Sequence, residues 1–172
     1  MDDRDFRPLA NFTADRSCFG CGDANPAGLK MSFMTDGNTV VSELSVPDHL
    51  CGWNRLVHGG ILATLMDETM SWTAIHLLQR LILTKSMQIE FLRPVYVGMP
   101  LRLEGRIDRH LSEKEAEVTA DLYIKDGLQH CSRSRGRFAL FTAEAMQRMK
   151  IMDPATVEAF ARRFGPATRS PG

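Results

Sequence analysis

His58, Gly59 and Gly60 stand immediately before a long apolar segment that contains the acid Asp67. Two glycines let another group approach the backbone closely. The first N–H groups of a helix have no partner within the helix, and they attract negatively charged oxygen. The combination predicts an oxyanion site for a carbonyl that becomes tetrahedral. A plain loop-to-helix junction is the structural alternative.

The segment from Gly59 to Leu81 has no proline and no glycine after Gly60, and it is rich in Leu, Met, Ala and Ile. This pattern predicts a long helix that is largely buried. An acid among short side chains can activate water or attack a carbonyl, with close packing around a paired acid as the alternative. One face of the predicted helix carries only such short residues: Gly60, Thr64, Asp67, Ser71 and Ala74.

Glu68 lies about 100° further round the predicted helix, in line with apolar residues. A carboxylate on an apolar stripe must be paired, protonated or functional. We interpret Glu68 as the acceptor of a structural hydrogen bond or ion pair, with contact to a substrate as the alternative.

Cys18 and Cys21 form a Cys-x-x-Cys pair in a turn-rich segment. A structural zinc site needs four ligands, and no second such pair exists, although His49 and Cys51 could complete one. We interpret the segment as a glycine-rich turn with buried thiols and expect no metal. A redox role is disfavoured because no βαβ pattern follows.

The remaining elements are strands with alternating polar and apolar residues, which predict an antiparallel sheet with one face on a core. A single helix this apolar needs a sheet to pack against, so the predicted class is α+β. Asp153-Pro154 predicts the start of a C-terminal helix. The predicted strands are Lys30 to Phe33, Val40 to Leu44, Thr84 to Phe91, Leu101 to Asp108, Glu115 to Ile124 and His130 to Phe141.

The last predicted strand places Arg133, Arg135 and Arg137 on one face. Arginine favours phosphate groups, so these residues could contact a phosphorylated ligand. We favour cross-strand pairing with glutamates instead. The candidate partners are Glu104, Glu115 and Glu117.

The 172 residues fit one domain, and Lys+Arg and Asp+Glu both total 21. Zero net charge gives no support for a nucleic-acid or membrane-surface binder. The chain begins without a secretory signal pattern and has no span of roughly 20 apolar residues, so we expect a cytoplasmic protein with reduced cysteines. We divide it into an N-terminal arm (1–17), a main domain (18–145) and a C-terminal helix and tail (146–172).

The segments CFGCGDANPAGL, HGGILATLMDETMSW and SMQIEFLRPVYVGMPL together resemble the hotdog-fold acyl-CoA thioesterases. The resemblance is to the phenylacetate-pathway type within the 4-hydroxybenzoyl-CoA thioesterase superfamily, and it covers residues 18–141. It implies a long central helix wrapped by a curved antiparallel sheet. It also implies a homodimer or homotetramer with sites at the subunit interface.

The resemblance assigns roles to individual residues. The Gly59 N–H would polarise the thioester carbonyl, and Asp67 would be the general base or nucleophile. Thr84, supplied by the partner subunit, would orient the attacking water, with Ser86 as the reserve candidate. His58 is interpreted as fixing the loop by hydrogen bonding, with a role as a base as the alternative.

One position departs from the family pattern. Many relatives carry Asn or Gln six positions before the motif histidine, where this chain has Gly52. Asn54 is close in sequence and could substitute for it. Further candidates for substrate contact are Gly60, Glu68 and Arg93.

The resemblance therefore implies hydrolysis of an acyl- or aryl-CoA thioester to a free acid and coenzyme A, without a metal or redox cofactor. The acyl group stays open. A non-catalytic hotdog protein that binds acyl-CoA is the main alternative, because Gly52 departs from the pattern. The spacing of His58 and Asp67 disfavours a hotdog dehydratase, and the groove at Asp67 disfavours a purely structural subunit.

Overall fold

The computed structural model describes residues 5–14 and 16–165. Short 3-10 turns occupy Asp48–Leu50 and Asp126–Leu128. No helix in these residues is both long enough and apolar enough to cross a membrane. The strands and α-helices in chain order are β1 (Arg7–Leu9), β2 (Phe33–Thr35), β3 (Val40–Ser45), α1 (Gly59–Leu78), β4 (Leu81–Phe91), β5 (Pro100–Ser112), β6 (Glu115–Ile124), β7 (Gln129–Phe141), α2 (Ala143–Met149) and α3 (Pro154–Phe164).

The seven strands form one sheet in the order β1-β2-β3-β5-β6-β7-β4, and every pairing is antiparallel. Helix α1 packs across β3 to β7 on one face of this sheet. One long helix on an antiparallel sheet is the α+β hotdog architecture, so the predicted fold class is confirmed. The two outermost strands are β1 and β4, and β4 follows α1 directly.

Helix α1 lies directly against the sheet at β5. A Cβ atom added to Gly105 would collide with the Thr73 hydroxyl and lie 3.2 Å from the Thr69 carbonyl oxygen. The hydroxyls of Thr69 and Thr73 donate to backbone carbonyls one turn earlier, so these polar side chains are satisfied without water. Leu65 and Met66 are fully buried beside them. The prediction of a largely buried helix is therefore confirmed.

Several predicted boundaries differ from the structure, and two of the differences have a local backbone cause. Helix α1 ends at Leu78 rather than Leu81, because Gln79 adopts a left-handed conformation (φ 52°, ψ 49°) as the chain reverses into β4. The first predicted strand lies later, at Phe33–Thr35. Lys30 has a φ of 52°, which interrupts an extended strand. The N–H of its neighbour Met31 donates to the Gly20 carbonyl in the loop that contains Cys18 and Cys21, here called the cysteine loop, and not to a neighbouring strand.

Residues 5–14 are more ordered than their composition indicates. The charged pattern of residues 1–17 predicts a poorly structured arm, yet β1 pairs with β2 and the Phe12 ring lies 5.7 Å from both the Trp72 and Phe160 rings. Ala14 also donates to the Thr156 hydroxyl at 3.0 Å. These partners are distant in sequence, so local composition could not reveal them. The boundaries at 17/18 and 145/146 stay predictions.

The C-terminal helix begins where the sequence predicts. Asp153 caps α3 by accepting a hydrogen bond from the Thr156 N–H at 3.1 Å, and Pro154 occupies the first turn. Val157 and Phe160 then pack with Leu81 in a second apolar cluster. The short helix α2 before it was not predicted.

Candidate active site

His58 is the N-cap of α1. Its Nδ1 accepts the Gly60 N–H at 3.0 Å, and its carbonyl oxygen accepts the N–H groups of Ile61 and Leu62. This agrees with the interpretation that His58 fixes the loop. The Gly60 N–H is thereby occupied, which removes it as a donor to a ligand. No hydrogen bond within residues 5–14 and 16–165 uses the Gly59 N–H.

The backbone at Gly59 faces open space. A cavity of about 300 Å³ is bounded by Gly59 together with apolar side chains and the backbone corner at Arg93-Pro94. A Cβ atom added to Gly59 would meet only the edge of the Phe91 ring, at 3.8 Å. A ligand carbonyl in this cavity has room to reach the free N–H at the positive end of the helix dipole.

Asp67 is partly buried and is held by one hydroxyl. The Thr84 Oγ1 donates to the Asp67 Oδ1 at 2.9 Å. Burial raises the pKa of Asp67 above its ordinary value, and the hydrogen bond from Thr84 opposes this increase. A carboxylate with a raised pKa is a stronger base, so the environment favours proton abstraction.

A β-bulge at Lys85 decides which hydroxyl reaches Asp67. Thr84 is paired with the buried Phe138, whereas Ser86 is paired with the exposed Arg137, and the register shifts between them. Residues opposite each other share a face, so the bulge turns Thr84 towards the helix and leaves Ser86 on the outer face. The reserve candidate Ser86 is therefore not brought to Asp67.

The Thr84 hydroxyl contacts Asp67 of the same chain. The contact follows from the direct passage from α1 into β4, which runs back along the helix. That Thr84 and Gly59 of one site come from different subunits stays a prediction.

Glu68 faces away from Asp67, towards the cysteine loop. Its Oε1 accepts the Trp72 indole N–H at 3.2 Å and lies 3.9 Å from the Cys18 sulfur. Burial raises the pKa of Glu68 to about 7. These contacts agree with the structural interpretation of Glu68 and separate it from the open cavity at Gly59.

The cysteine loop brings three possible ligand atoms together. The sulfurs of Cys18 and Cys21 and a Glu68 oxygen all lie within 4.8 Å of one another. A hydrogen bond from Cys21 lowers the pKa of Cys18 to about 5, and the same pairing raises the pKa of Cys21. Sequence reasoning considered His49 and Cys51 as additional ligands and missed Glu68. The only signal for Glu68 was its position on an apolar stripe.

The loop before α1 contains the remaining candidates. A Cβ atom added to Gly52 would lie 3.6 Å from the His58 Cα, so a side chain at this position would point towards the helix start. Asn54 is exposed in a left-handed turn with a φ of 44°. Its side chain forms no hydrogen bond with any residue that the structure describes. No contact indicates that Asn54 substitutes for the amide missing at position 52.

The three arginines of β7 lie on the outer face of the sheet. Arg133 pairs with Glu90 at 2.8 Å and Arg135 with Asp108 at 3.5 Å. Arg137 pairs with Glu115 at 2.5 Å. Pairing across strands is therefore the observed role, although only Glu115 was among the predicted partners.

Comparisons with known proteins agree with this geometry. Residues 54–131 match the family model of the thioesterase superfamily. No curated protein matches the chain. Among solved structures, a thioesterase superfamily protein superimposes with a TM-score of 0.64 and 22% identity, covering 72% of this chain and 60% of that one.

Two bacterial structures extend the comparison. PaaI from the phenylacetic acid degradation operon of Escherichia coli has a TM-score of 0.58 and 20% identity, covering 66% of this chain and 80% of PaaI. A hypothetical thioesterase from Streptococcus pneumoniae, solved with coenzyme A, has a TM-score of 0.56 and 18% identity over 60% of this chain and 79% of its own. The same protein was solved with an aspartate and with a threonine changed to alanine. The match over residues 54–131 and the shared architecture together show that the chain has the hotdog fold and that it resembles the thioesterase superfamily.

Proposed function

We propose that the protein is an acyl-CoA thioesterase that hydrolyses an acyl- or aryl-CoA thioester to a free acid and coenzyme A. The observation that carries this proposal is the partly buried Asp67, whose carboxylate has a raised pKa and is held by Thr84. The superfamily match supports the reaction class, and the coenzyme A bound to the Streptococcus pneumoniae protein supports the ligand class.

Helix geometry supports a proposal in which one active site uses two copies of the chain. Gly59 and Asp67 are eight residues apart in α1, which separates their backbones by about 12 Å along the helix axis. A reacting carbonyl must lie within about 3 Å of both its oxyanion donor and its nucleophile. We therefore assign the Gly59 N–H to one copy, and Asp67 with Thr84 to the second.

The edge strand β4 is the surface through which the copies would pair. In the described chain β4 has a neighbour on one side only, β7. It carries the large exposed side chains of Leu83 and Phe91, which are 39% and 55% exposed. A long edge strand with exposed apolar side chains favours pairing with another strand. A homodimer formed there, or a homotetramer of two such dimers, would bring the two half-sites together.

The chemistry then follows from the named atoms. The thioester oxygen accepts the Gly59 N–H, and the carbonyl carbon becomes electrophilic. Asp67 removes a proton from a water held with the help of Thr84, and the water oxygen bonds to the carbonyl carbon. Alternatively, the Asp67 carboxylate attacks the carbon directly, and a water molecule then hydrolyses the resulting anhydride to the free acid and restores Asp67. The carbon–sulfur bond breaks as the tetrahedral intermediate collapses, and coenzyme A leaves as a thiolate that takes up a proton. Arg93, beside the cavity, offers a positive charge to the coenzyme A phosphates.

The test is the release of free coenzyme A from a panel of acyl- and aryl-CoA thioesters by the wild type and by Asp67→Asn. We expect turnover by the wild type and a decrease in kcat of about 100-fold or more in the variant. Binding of the thioester should persist, because the amide keeps the shape of the carboxylate.

The alternative is a non-catalytic hotdog protein that binds acyl-CoA, and the observation that favours it is Gly52 beside the helix start. No turnover of any thioester by a folded oligomer that binds coenzyme A thioesters would reject the hydrolase and leave this alternative. The panel would also identify the acyl group.

A further inference from the structure

We propose that Cys18, Cys21 and Glu68 form a binding site for a thiophilic divalent cation, with Zn²⁺ as the best fit. The three ligand atoms lie within 4.8 Å of one another, and the Cys18 sulfur is 3.9 Å from the Glu68 Oε1. Sulfur ligands of tetrahedral zinc lie about 3.8 Å apart, so small rotations of the side chains would complete the site. Two sulfurs select zinc over magnesium or calcium.

The loop holds the Cys18 and Cys21 sulfurs together against α1. The Gly22 N–H donates to the Cys18 carbonyl at 2.9 Å, which closes a tight turn around Cys21. This turn brings both sulfurs to the Glu68 carboxyl group, where the three ligand atoms meet.

Glycines allow the loop to lie directly on α1. A Cβ atom added to Gly20 would collide with the Glu68 carboxyl group, and one added to Gly22 would collide with the backbone of Arg16 and Cys18. A side chain at position 20 would push the loop away from the helix, and one at position 22 would disrupt the turn around Cys21. This close packing brings the carboxylate and both sulfurs together in a small space.

The Glu68 carboxyl group has no cationic partner among the described residues. Glu68 makes no ion pair with any Lys, Arg or His in residues 5–14 and 16–165. Its titratable neighbours are Asp67 and the two cysteines. A buried carboxylate needs either a proton or a positive partner. Binding of Zn²⁺ would displace any proton left on the three ligands, and a water molecule would complete the tetrahedral coordination.

The bound ion would stabilise the position of helix α1 and would take no part in the proposed hydrolysis. It joins the cysteine loop to α1 at the residue that follows Asp67, so the ion would hold this turn of the helix in place. The inference does not depend on the proposed hydrolysis, because every readout below measures metal binding or stability.

The experiment titrates reduced, metal-free protein with Zn²⁺ and with Co²⁺. We expect one ion per chain, a thiolate-to-cobalt charge-transfer band, and a higher unfolding temperature in the presence of Zn²⁺. Cys18→Ser and Cys21→Ser should weaken binding by at least about 100-fold, and Glu68→Gln by at least about 10-fold. Cys51→Ser is the matched control and should bind as the wild type does, since Cys51 is exposed outside the cluster.

Three outcomes would overturn the proposal. The first is a folded, reduced wild type that takes up neither ion at micromolar concentration. The second is a Co²⁺ complex without the thiolate band, which tests the ligands even if a serine variant fails to fold. The third is a Cys51→Ser variant that loses the ion while Cys18→Ser retains it.

Discussion

Asp67 and Glu68 are adjacent carboxyls on one helix, and burial raises the pKa of both, yet they contact different parts of the fold. Asp67 meets one hydroxyl from the edge strand β4. Glu68 meets an indole N–H and a pair of thiols under the cysteine loop. A rotation of about 100° per residue sends neighbouring side chains to different layers of the fold. The comparison teaches that the residue type alone does not determine the role of a carboxyl group, because that role depends on the element that packs against it.

The largest expected effect separates the two carboxyls in one assay. Asp67→Asn should reduce kcat by about 100-fold or more, whereas Glu68→Gln should reduce it by less than about 10-fold. The reason is that only Asp67 belongs to the reacting face. Steady-state kinetics with the best thioester of the panel measure both. Equal losses would mean that the two faces act as one unit, and the comparison would fail.

Gly59 and Gly105 allow the same comparison between the reacting face and the packed core at backbone positions. Gly59→Ala should fold normally, because the added Cβ meets only Phe91 at 3.8 Å, yet it should reduce kcat/KM by about 10- to 100-fold by crowding the thioester carbonyl. Gly105→Ala should lower the free energy of unfolding by about 1–3 kcal/mol, because the added Cβ collides with Thr73. Chemical denaturation and kinetics on both variants check this. A stable Gly105→Ala, or a fully active Gly59→Ala, would contradict the assignment.

Substitutions of the hydrogen-bond partners should show the same contrast: loss of the Asp67 partner should affect the rate, and loss of the Glu68 partner should affect the stability. Thr84→Val removes the hydroxyl that holds Asp67 and should reduce kcat roughly 10-fold with little change in stability, while Thr84→Ser should restore the rate. Trp72→Phe leaves Glu68 without its N–H donor and should cost about 1–3 kcal/mol of stability with little change in rate.

Ser86→Ala is the control for Thr84, because the bulge turns Ser86 to the outer face. The variant should match the wild type in both kinetics and thermal unfolding. A rate loss as large as that of Thr84→Val would show that the strand presents Ser86, not Thr84, to the site.

The smallest expected effect concerns the helix start. His58→Ala removes the cap on the Gly60 N–H and should lower the free energy of unfolding by about 1 kcal/mol, and His58→Asn should recover most of it. Denaturant titration resolves a change of this size. If His58 were instead the base, His58→Asn would abolish turnover.

Local spacing was enough to predict much of the fold. The strands from β3 to β7, the single long helix and the start of α3 follow from periodicity, capping residues and turn residues. The order of the strands, the packing of Phe12 and the strand β1 do not, because they depend on partners far away in the sequence. The end of α1 was misplaced because Gln79 adopts a left-handed conformation without a glycine to indicate it.

The sequence by itself determined that His58-Gly59-Gly60 begins a helix and that Asp67 lies among short residues on one face of it. Both follow from the 3.6-residue period and from backbone donors that every helix start leaves unpaired. Only the tertiary structure decided that Thr84 rather than Ser86 meets Asp67, because a single bulged residue reverses which side chains face the helix. It also decided that Cys18 and Cys21 meet Glu68 across 47 to 50 residues of chain, since loop placement depends on packing and not on local pattern.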